Sequence, residues 1–179
     1  MIVRRAALAV LASVMLVALP CRSALAEFSA KNGQVLGRTL GFVGDGMTGT
    51  AIVGVVFTQG DLASQRDADL IQAVIGDGLA AGRVRLWARL VATDQLATVT
   101  GLNALYVPSG FSGRMDPVSG TAQRLHIPTL SADLACVQSD TCVVGFSSEP
   151  TVQIVIDRAA AERAGVHFVQ AFRMLVKEK

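Results

Sequence analysis

The sequence predicts an α/β fold: a single compact domain with a mostly parallel sheet, helices on both faces, and a C-terminal hairpin followed by helices. Short apolar runs of strand length alternate with helical patterns along most of the chain, as expected for βαβ units. Near the C terminus, two apolar runs are separated only by a short, turn-rich link, which favours an antiparallel hairpin. Removing a predicted export signal, residues 1–26 of 179, leaves 153 residues, a length that suits one domain.

The first residues have the pattern of a secretory signal peptide. Arg4 and Arg5 precede an apolar run, Ala6–Leu19, and Ala24-Leu25-Ala26 supplies the small residues of a cleavage site. The apolar run is shorter than the roughly 20 residues that a transmembrane helix needs, although a retained N-terminal anchor is the alternative. We therefore predict a periplasmic protein, secreted through a cleaved signal, that begins at Glu27.

Charge argues against a nucleic-acid partner. The full chain has 16 Lys and Arg and 14 Asp and Glu, but Arg4, Arg5 and Arg22 fall within the predicted signal. The mature chain would then carry 13 basic and 14 acidic residues, with no basic stripe. Nucleic-acid binding normally requires such a stripe.

Residues 27–50 are predicted to form a separate glycine-rich segment ahead of an α/β domain over residues 51–179. Gly44-x-Gly46-x-x-Gly49 fits the letters of a dinucleotide-binding fingerprint, but the apolar run that follows resembles a strand. Since that fingerprint needs a helix after its glycines, a flexible loop is the better interpretation.

The first half of the domain reads as strand, helix and strand. Ala51–Phe57 is a continuous apolar run, as expected for a strand buried on both faces. Ser64 is a plausible N-cap for a helix that continues to Leu79. Val84–Val91 alternates apolar and polar residues, which predicts a strand with one buried face.

Shorter elements are predicted to complete the sheet. A short helix is expected from Thr93 or Asp94 to Val99. The later elements before the cysteines are a strand, a helix and a strand stub, at Ala104–Val107, Val118–Leu125 and Ile127–Leu130.

The C-terminal part has the clearest local signals. Cys142–Phe146 and Val152–Ile156 form the predicted hairpin. Asp157 is expected to cap a helix that ends at Gly165. Phe168–Val176 is predicted to be an amphipathic helix that docks on the sheet.

Two groups of residues are candidates for contact with a partner or ligand. Arg83, Arg85 and Trp87 suggest an anion or aromatic-ligand site, with the alternative that charged stems simply cover an exposed ring. The loop at 108–113 follows a predicted strand at its carboxyl end, where open α/β sheets bind ligands, although an ordinary surface loop is the alternative. The remaining candidates are Ser109, Phe111, Arg114, Met115 and Arg173.

Catalytic and metal-binding patterns are sparse, so we predict a protein that is not an enzyme and carries no cofactor or metal. The two histidines, His126 and His167, belong to no recognisable triad motif and are interpreted as structural. Cys136 and Cys142 lie close in sequence. In an oxidising compartment they predict a disulfide in preference to a zinc site.

The region from about Leu102 to Leu175 resembles the YfiR/HmsC-like family of periplasmic proteins. The features that carry the resemblance are Ala104–Val107, Ile127–Leu130 with Ser131, the Cys136/Cys142 pair, Val143–Phe146, and the stretch from Val152 to Leu175 with its Ala-rich helix and Gly165. The chain departs from the family at its start, where a helix and an aromatic-Pro stretch are usual and Lys31–Gly49 is glycine-rich.

The resemblance implies a regulator that binds and restrains an inner-membrane signalling protein such as a diguanylate cyclase. It also implies a homodimer and redox sensitivity of the cysteine pair. A periplasmic solute-binding module, with its ligand at the strand carboxyl ends, is the alternative that the residues leave open, and a secreted enzyme ranks third.

Overall fold

The computed structural model describes residues 28–179, so the predicted signal peptide and its cleavage site lie outside the described residues. The strands are β1 Gly49–Phe57, β2 Leu79–Ala81, β3 Val84–Ala92, β4 Ala104–Tyr106, β5 Thr129–Ser131, β6 Val144–Ser147, β7 Gln153–Ile156 and β8 Lys177–Glu178. The helices are α1 Ala30–Leu40, α2 Leu62–Ile75, α3 Met115–Leu125, α4 Leu134–Gln138, α5 Arg158–Ala164 and α6 Gln170–Arg173, with a 3₁₀ turn at Thr93–Gln95.

Within residues 28–179, eight strands form one mixed sheet in the order β2-β3-β1-β4-β5-β6-β7-β8. β3, β1, β4, β5 and β6 are mutually parallel. β2 pairs antiparallel with β3, and β7 pairs antiparallel with β6. β8 pairs parallel with β7. The predicted α/β class, with a mostly parallel sheet and a C-terminal hairpin, is confirmed.

The sheet is covered on both faces, as predicted. Val53 and Val55 of β1 belong to one apolar cluster, together with buried residues of α1 and α2. Val56 and Ile52 belong to a second cluster that includes Val118 of α3 and residues of α4. Because successive side chains of a strand point to opposite faces, the two clusters lie on opposite sides of the sheet. None of the helices described within residues 28–179 is long and apolar enough to cross a membrane.

Helix α1 lies in the core, although its residues fall within the predicted glycine-rich segment at 27–50. Ser29 begins it with a capping box formed with Asn32. A Cβ at Gly33 would lie 2.4 Å from Leu79, and one at Gly37 would lie 2.3 Å from Ala81. These glycines therefore let the helix approach β2 closely, and the compact unit begins with α1. The turns that follow, at residues 41–46, agree with a loop interpretation of the later glycines.

Two expectations for the α2 region were wrong. Asp61, and not Ser64, caps α2 by accepting hydrogen bonds from the backbone amides of residues 63 and 64. Ser64 is buried, and its hydroxyl instead accepts from the Thr58 amide at 2.9 Å. Leu79, which was assigned to the helix, begins the short edge strand β2.

The C-terminal region also differs from its prediction at its end. Asp157 and Gly165 cap α5 as predicted, with Gly165 in the left-handed conformation. The expected long helix over Phe168–Val176 is only the four-residue α6, and the chain then forms strand β8 beside β7. Cys136 lies in the short helix α4.

Candidate functional site

The candidate site is the carboxyl edge of the sheet at the point where the strand order reverses. The parallel strands are arranged so that β1 lies between β3, the next parallel strand in the chain, and β4, the one after it. In open α/β sheets this reversal opens a crevice beyond the carboxyl ends of the two strands at the switch point. Here those strands are β1 and β4, and the loops that follow them are residues 58–61 and 107–114.

A side-chain hydrogen bond joins these two loops. The Ser112 hydroxyl donates to the Asp61 carboxylate at 2.6 Å and lies 3.4 Å from the Thr58 hydroxyl. The hydrogen bond from Ser112, followed by that from the Ser64 amide, holds the pKa of Asp61 below its usual value. Asp61 therefore fixes the start of α2 and the position of the 107–114 loop together.

A cleft of about 200 Å³ opens beside this junction, above the ends of β4 and β5. We call it the carboxyl-edge cleft. Its walls combine apolar and polar side chains. The lining residues used below are Ser109, Phe111, Met115, Ser131, Asp133 and Thr141. Phe111 and Met115 pack against the second apolar cluster while remaining partly exposed, and Ser109 is exposed.

The predicted disulfide is confirmed and forms one wall of this cleft. Cys136 and Cys142 are bonded, with their Cα atoms 5.3 Å apart, and Cys136 lines the cleft. The Thr141 hydroxyl donates to the Cys136 carbonyl at 2.7 Å. Asp133 caps α4 by accepting from the Ala135 amide at 2.8 Å. The wall is therefore held by a covalent link and by short local hydrogen bonds.

Tyr106, at the end of β4, belongs to the apolar cluster on the opposite face of the sheet from the cluster that backs the cleft. Its ring is buried and packs edge-on against Phe28, with ring centroids 5.0 Å apart. Its hydroxyl accepts a hydrogen bond from the Ala132 amide at 3.3 Å. Burial raises the pKa of Tyr106 well above its usual value, so the phenol stays protonated at neutral pH. This contact ties the end of β4 to the turn that follows β5.

The structure brings Ser109, Phe111 and Met115 together but places the other predicted contact residues elsewhere. Arg114 is at the loop's outer rim, exposed and paired with Asp116 at 2.8 Å. Arg173 pairs with Glu178 of β8 and lines a different cavity.

Arg83, Arg85 and Trp87 do not reach the cleft. Arg83 donates to the Gly41 carbonyl at 3.1 Å, which satisfies the end of α1. Arg85 and Trp87 alternate with buried residues of β3 and are exposed, with Trp87 40% accessible. Both lie over Gly78, where a Cβ would meet the Arg85 stem and the Trp87 ring.

The histidines also lie outside the carboxyl-edge cleft. His126 ends α3 in the left-handed conformation, and its ring lies beside Gly165. The backbone carbonyl of His167 accepts a hydrogen bond from the Gly44 amide at 2.8 Å. In residues 28–179, no group of three or more His, Cys, Asp or Glu side chains is arranged to hold a metal ion.

Sequence reasoning missed Asp61 and a second cavity. Asp61 ends the loop that follows β1, so the rule that ligands bind at the carboxyl ends of strands, applied to β1 as well as β4, would have indicated it. The second cavity, which we call the α1 groove, measures about 280 Å³. It is lined by Val35, Arg38, Thr39, Phe42, Val152, Ile154, Phe172, Leu175 and Val176. Its walls come from segments more than 100 residues apart, so no local pattern signals it.

Comparison with known proteins supports the fold. No family model and no curated protein matches the chain. The ligand-free, open structure of a substrate-binding protein with adhesive properties from Clostridium difficile is similar, with a TM-score of 0.51 and 12% identity over 72% of this chain and 54% of that one. A conserved domain protein from Vibrio cholerae has a TM-score of 0.49 and 13% identity over 71% of this chain and 54% of that one. The chain thus spans about half the length of either structure.

Proposed function

We propose that the protein is a periplasmic binding module that holds a small solute at the carboxyl-edge cleft and acts by contact, without turnover. The observation that carries the proposal is the junction of the two switch-point loops. Ser112 and Asp61 hold the loops after β1 and β4 together beside a cleft of about 200 Å³. The cleft lies over the carboxyl ends of β4 and β5, next to the switch point at which open α/β sheets bind ligands.

The similarity to a substrate-binding protein supports the proposal at the level of fold. The match covers only 54% of that chain. On this proposal, the domain at residues 28–179 corresponds to about half of such a protein.

Export through a cleaved signal is part of the same proposal. The Cys136–Cys142 disulfide supports it, because disulfides persist in oxidising compartments such as the periplasm. Intact-mass measurement of protein from the periplasmic fraction should give a chain that begins at Glu27. A mature protein that retained residues 1–26 would contradict this part of the proposal.

A solute screen tests the binding function. The unfolding temperature of the purified protein is measured with each member of a library of polar metabolites. Binding of the solutes that raise it is confirmed by calorimetry. A Ser109→Trp variant should abolish binding, because the new ring fills the mouth of the cleft at an exposed loop position. Gln65→Trp, which adds the same ring on the exposed surface of α2, is the matched control and should bind normally. Equal binding by both variants would place the solute elsewhere.

A second function, restraint of an inner-membrane sensor or diguanylate cyclase by direct contact, follows from the sequence resemblance. The rim of the cleft supports it, since exposed Arg114 stands beside the partly exposed Phe111 and Met115. Apolar side chains ringed by charge are common at transient interfaces. The homodimer that the sequence resemblance implies is part of the same hypothesis.

Crosslinking in intact cells, followed by mass spectrometry, separates the two functions. Arg114→Glu should reduce capture of an envelope signalling protein, whereas Arg66→Glu on α2 should not. If the folded, abundant protein captures no envelope protein and the purified protein binds a solute at Ser109, the regulatory hypothesis fails.

A further inference from the structure

The α1 groove has the shape of a slot for a narrow apolar molecule. One wall is a face of α1 that carries Val35, continued by Phe42 in the turn after the helix. Ile154 of β7 and Val152 just before that strand form the opposite wall. Phe42 stacks on Phe172 with ring centroids 4.5 Å apart and planes 8° from parallel. This pair gives the groove a rigid aromatic surface.

Charge in the groove comes from a single cation. Arg38 is the only charged residue among those that line it, and no acidic side chain lies in its wall. Arg38 is exposed, and among the hydrogen bonds and ion pairs within residues 28–179 none involves its guanidinium. An anionic group in the groove would therefore compete only with water for this cation.

Thr39 provides a second, independent observation. Its side chain is 1% exposed, it lines the groove, and its hydroxyl has no hydrogen-bond partner within the described residues. Buried hydroxyl groups are normally hydrogen-bonded, because an unsatisfied one destabilises the fold. An oxygen acceptor delivered by a ligand would satisfy this group.

The volume and the lining limit what can bind. A groove of about 280 Å³ holds roughly nine heavy atoms at about 30 Å³ each, the share of a water molecule in the liquid. A peptide would bring backbone amides and carbonyls that need polar partners, and the wall offers only Thr39 and Arg38. A phospholipid with two acyl chains exceeds the volume.

We propose that the α1 groove binds a free acyl carboxylate of roughly eight to ten heavy atoms, with its chain along the apolar walls and its carboxylate at Arg38 and Thr39. This site is distinct from the proposed solute site, because no residue lines both cavities. The two sites can therefore succeed or fail independently.

Calorimetric titration with octanoate, below its micelle concentration, tests the proposal. The full mature protein should bind one octanoate saturably, bind butyrate much more weakly, and not bind octyltrimethylammonium. Arg38→Met keeps an unbranched side chain with an apolar stem and removes the positive charge. It should weaken octanoate binding at least tenfold while changing octanol binding less than threefold.

Two further variants distinguish the groove from adventitious binding. Val152→Trp fills the groove from a position that is 53% exposed, and it should abolish binding of both octanoate and octanol. Arg66→Met, on the exposed surface of α2, is the matched control and should bind octanoate normally. The proposal is overturned if octanoate shows no saturable binding, if Arg38→Met and Arg66→Met bind alike, or if Val152→Trp binds normally. Binding only to vesicles that contain fatty acid would also overturn it, since the site would then be a membrane contact.

Discussion

Replacing Gly37 by alanine should destabilise the protein, although the same change in most helices is stabilising. Glycine in a helix interior costs about 1 kcal/mol relative to alanine, so helix propensity alone favours the variant. However, the new Cβ would lie 2.3 Å from the Ala81 Cβ and 3.2 Å from Leu86. Apolar carbons in contact are normally about 3.5–4.0 Å apart.

The overlap cannot be relieved by side-chain rotation, because an alanine methyl has no rotamer to change. Either α1 or β2 must move by more than 1 Å, and overpacking of this kind costs about 1–3 kcal/mol. Taking the upper end, since both methyl groups are fixed to backbone, and subtracting the propensity gain of about 1 kcal/mol gives a net loss of about 2 kcal/mol. We expect this loss in the free energy of unfolding measured by urea denaturation.

Two variants make the result decisive. Gly120→Ala is the control, since Gly120 lies in α3 with no atom within 4 Å of its would-be Cβ, and it should stabilise by about 0.5–1 kcal/mol. Adding Ala81→Gly to Gly37→Ala should recover part of the lost stability by removing the closest contact. A Gly37→Ala protein as stable as the wild type would refute the close approach of α1 to β2.

Three other changes have expected outcomes. Reducing the Cys136–Cys142 disulfide should lower stability by roughly 2 kcal/mol, as expected for closing a short loop in the chain-entropy model, and a urea midpoint unchanged by reductant would contradict this. Ser112→Ala should raise the pKa of Asp61 toward its usual value. Because the folded-state pKa of Asp61 is lowered, the stabilisation is present above the unfolded-state pKa of about 4 and is lost as the pH falls through the folded-state pKa. Wild type and variant should therefore differ in urea midpoint at pH 7 and have the same midpoint in acid. A difference that stays constant with pH would contradict this linkage. Tyr106→Phe should cost about 1 kcal/mol, because a backbone amide loses its acceptor, and unchanged amide hydrogen exchange in that turn would count against the contact.

The strands and caps could be predicted because their signals are local. The continuous apolar run at Ala51–Phe57 and the alternation in Val84–Val91 each correspond to an observed strand. Asp157 and Gly165 are residue types with strong preferences for the two ends of a helix. Each of these assignments depends on neighbours within a few residues.

The missed elements depend on contacts between distant segments. Gly33 and Gly37 lower the helix propensity of α1, and only packing against β2 explains why glycine is present there. β2 itself has three residues and is stabilised by pairing with β3. The last strand, Lys177–Glu178, is likewise defined by its pairing with β7 and not by its own composition.

The candidate site was predictable in position but not in construction. The carboxyl-end rule indicated the loop at 108–113 from the sequence alone. The hydrogen bond from Ser112 to Asp61 joins residues 51 positions apart, so no sequence window contains both partners. The sequence groups Arg83 with possible contact residues, yet its guanidinium donates to the Gly41 carbonyl at the end of α1. Only the fold reveals this role.

The central claim is that a solute binds in the carboxyl-edge cleft, beside the junction of the loops after β1 and β4. Backbone amide chemical-shift mapping, with ¹⁵N-labelled mature protein and the tightest hit of the solute screen, tests it most directly. The largest shifts should fall in residues 108–113 and 131–133, and Ser109→Trp should remove them. Largest shifts outside these loops, or a screen in which no solute binds the folded protein, would contradict it.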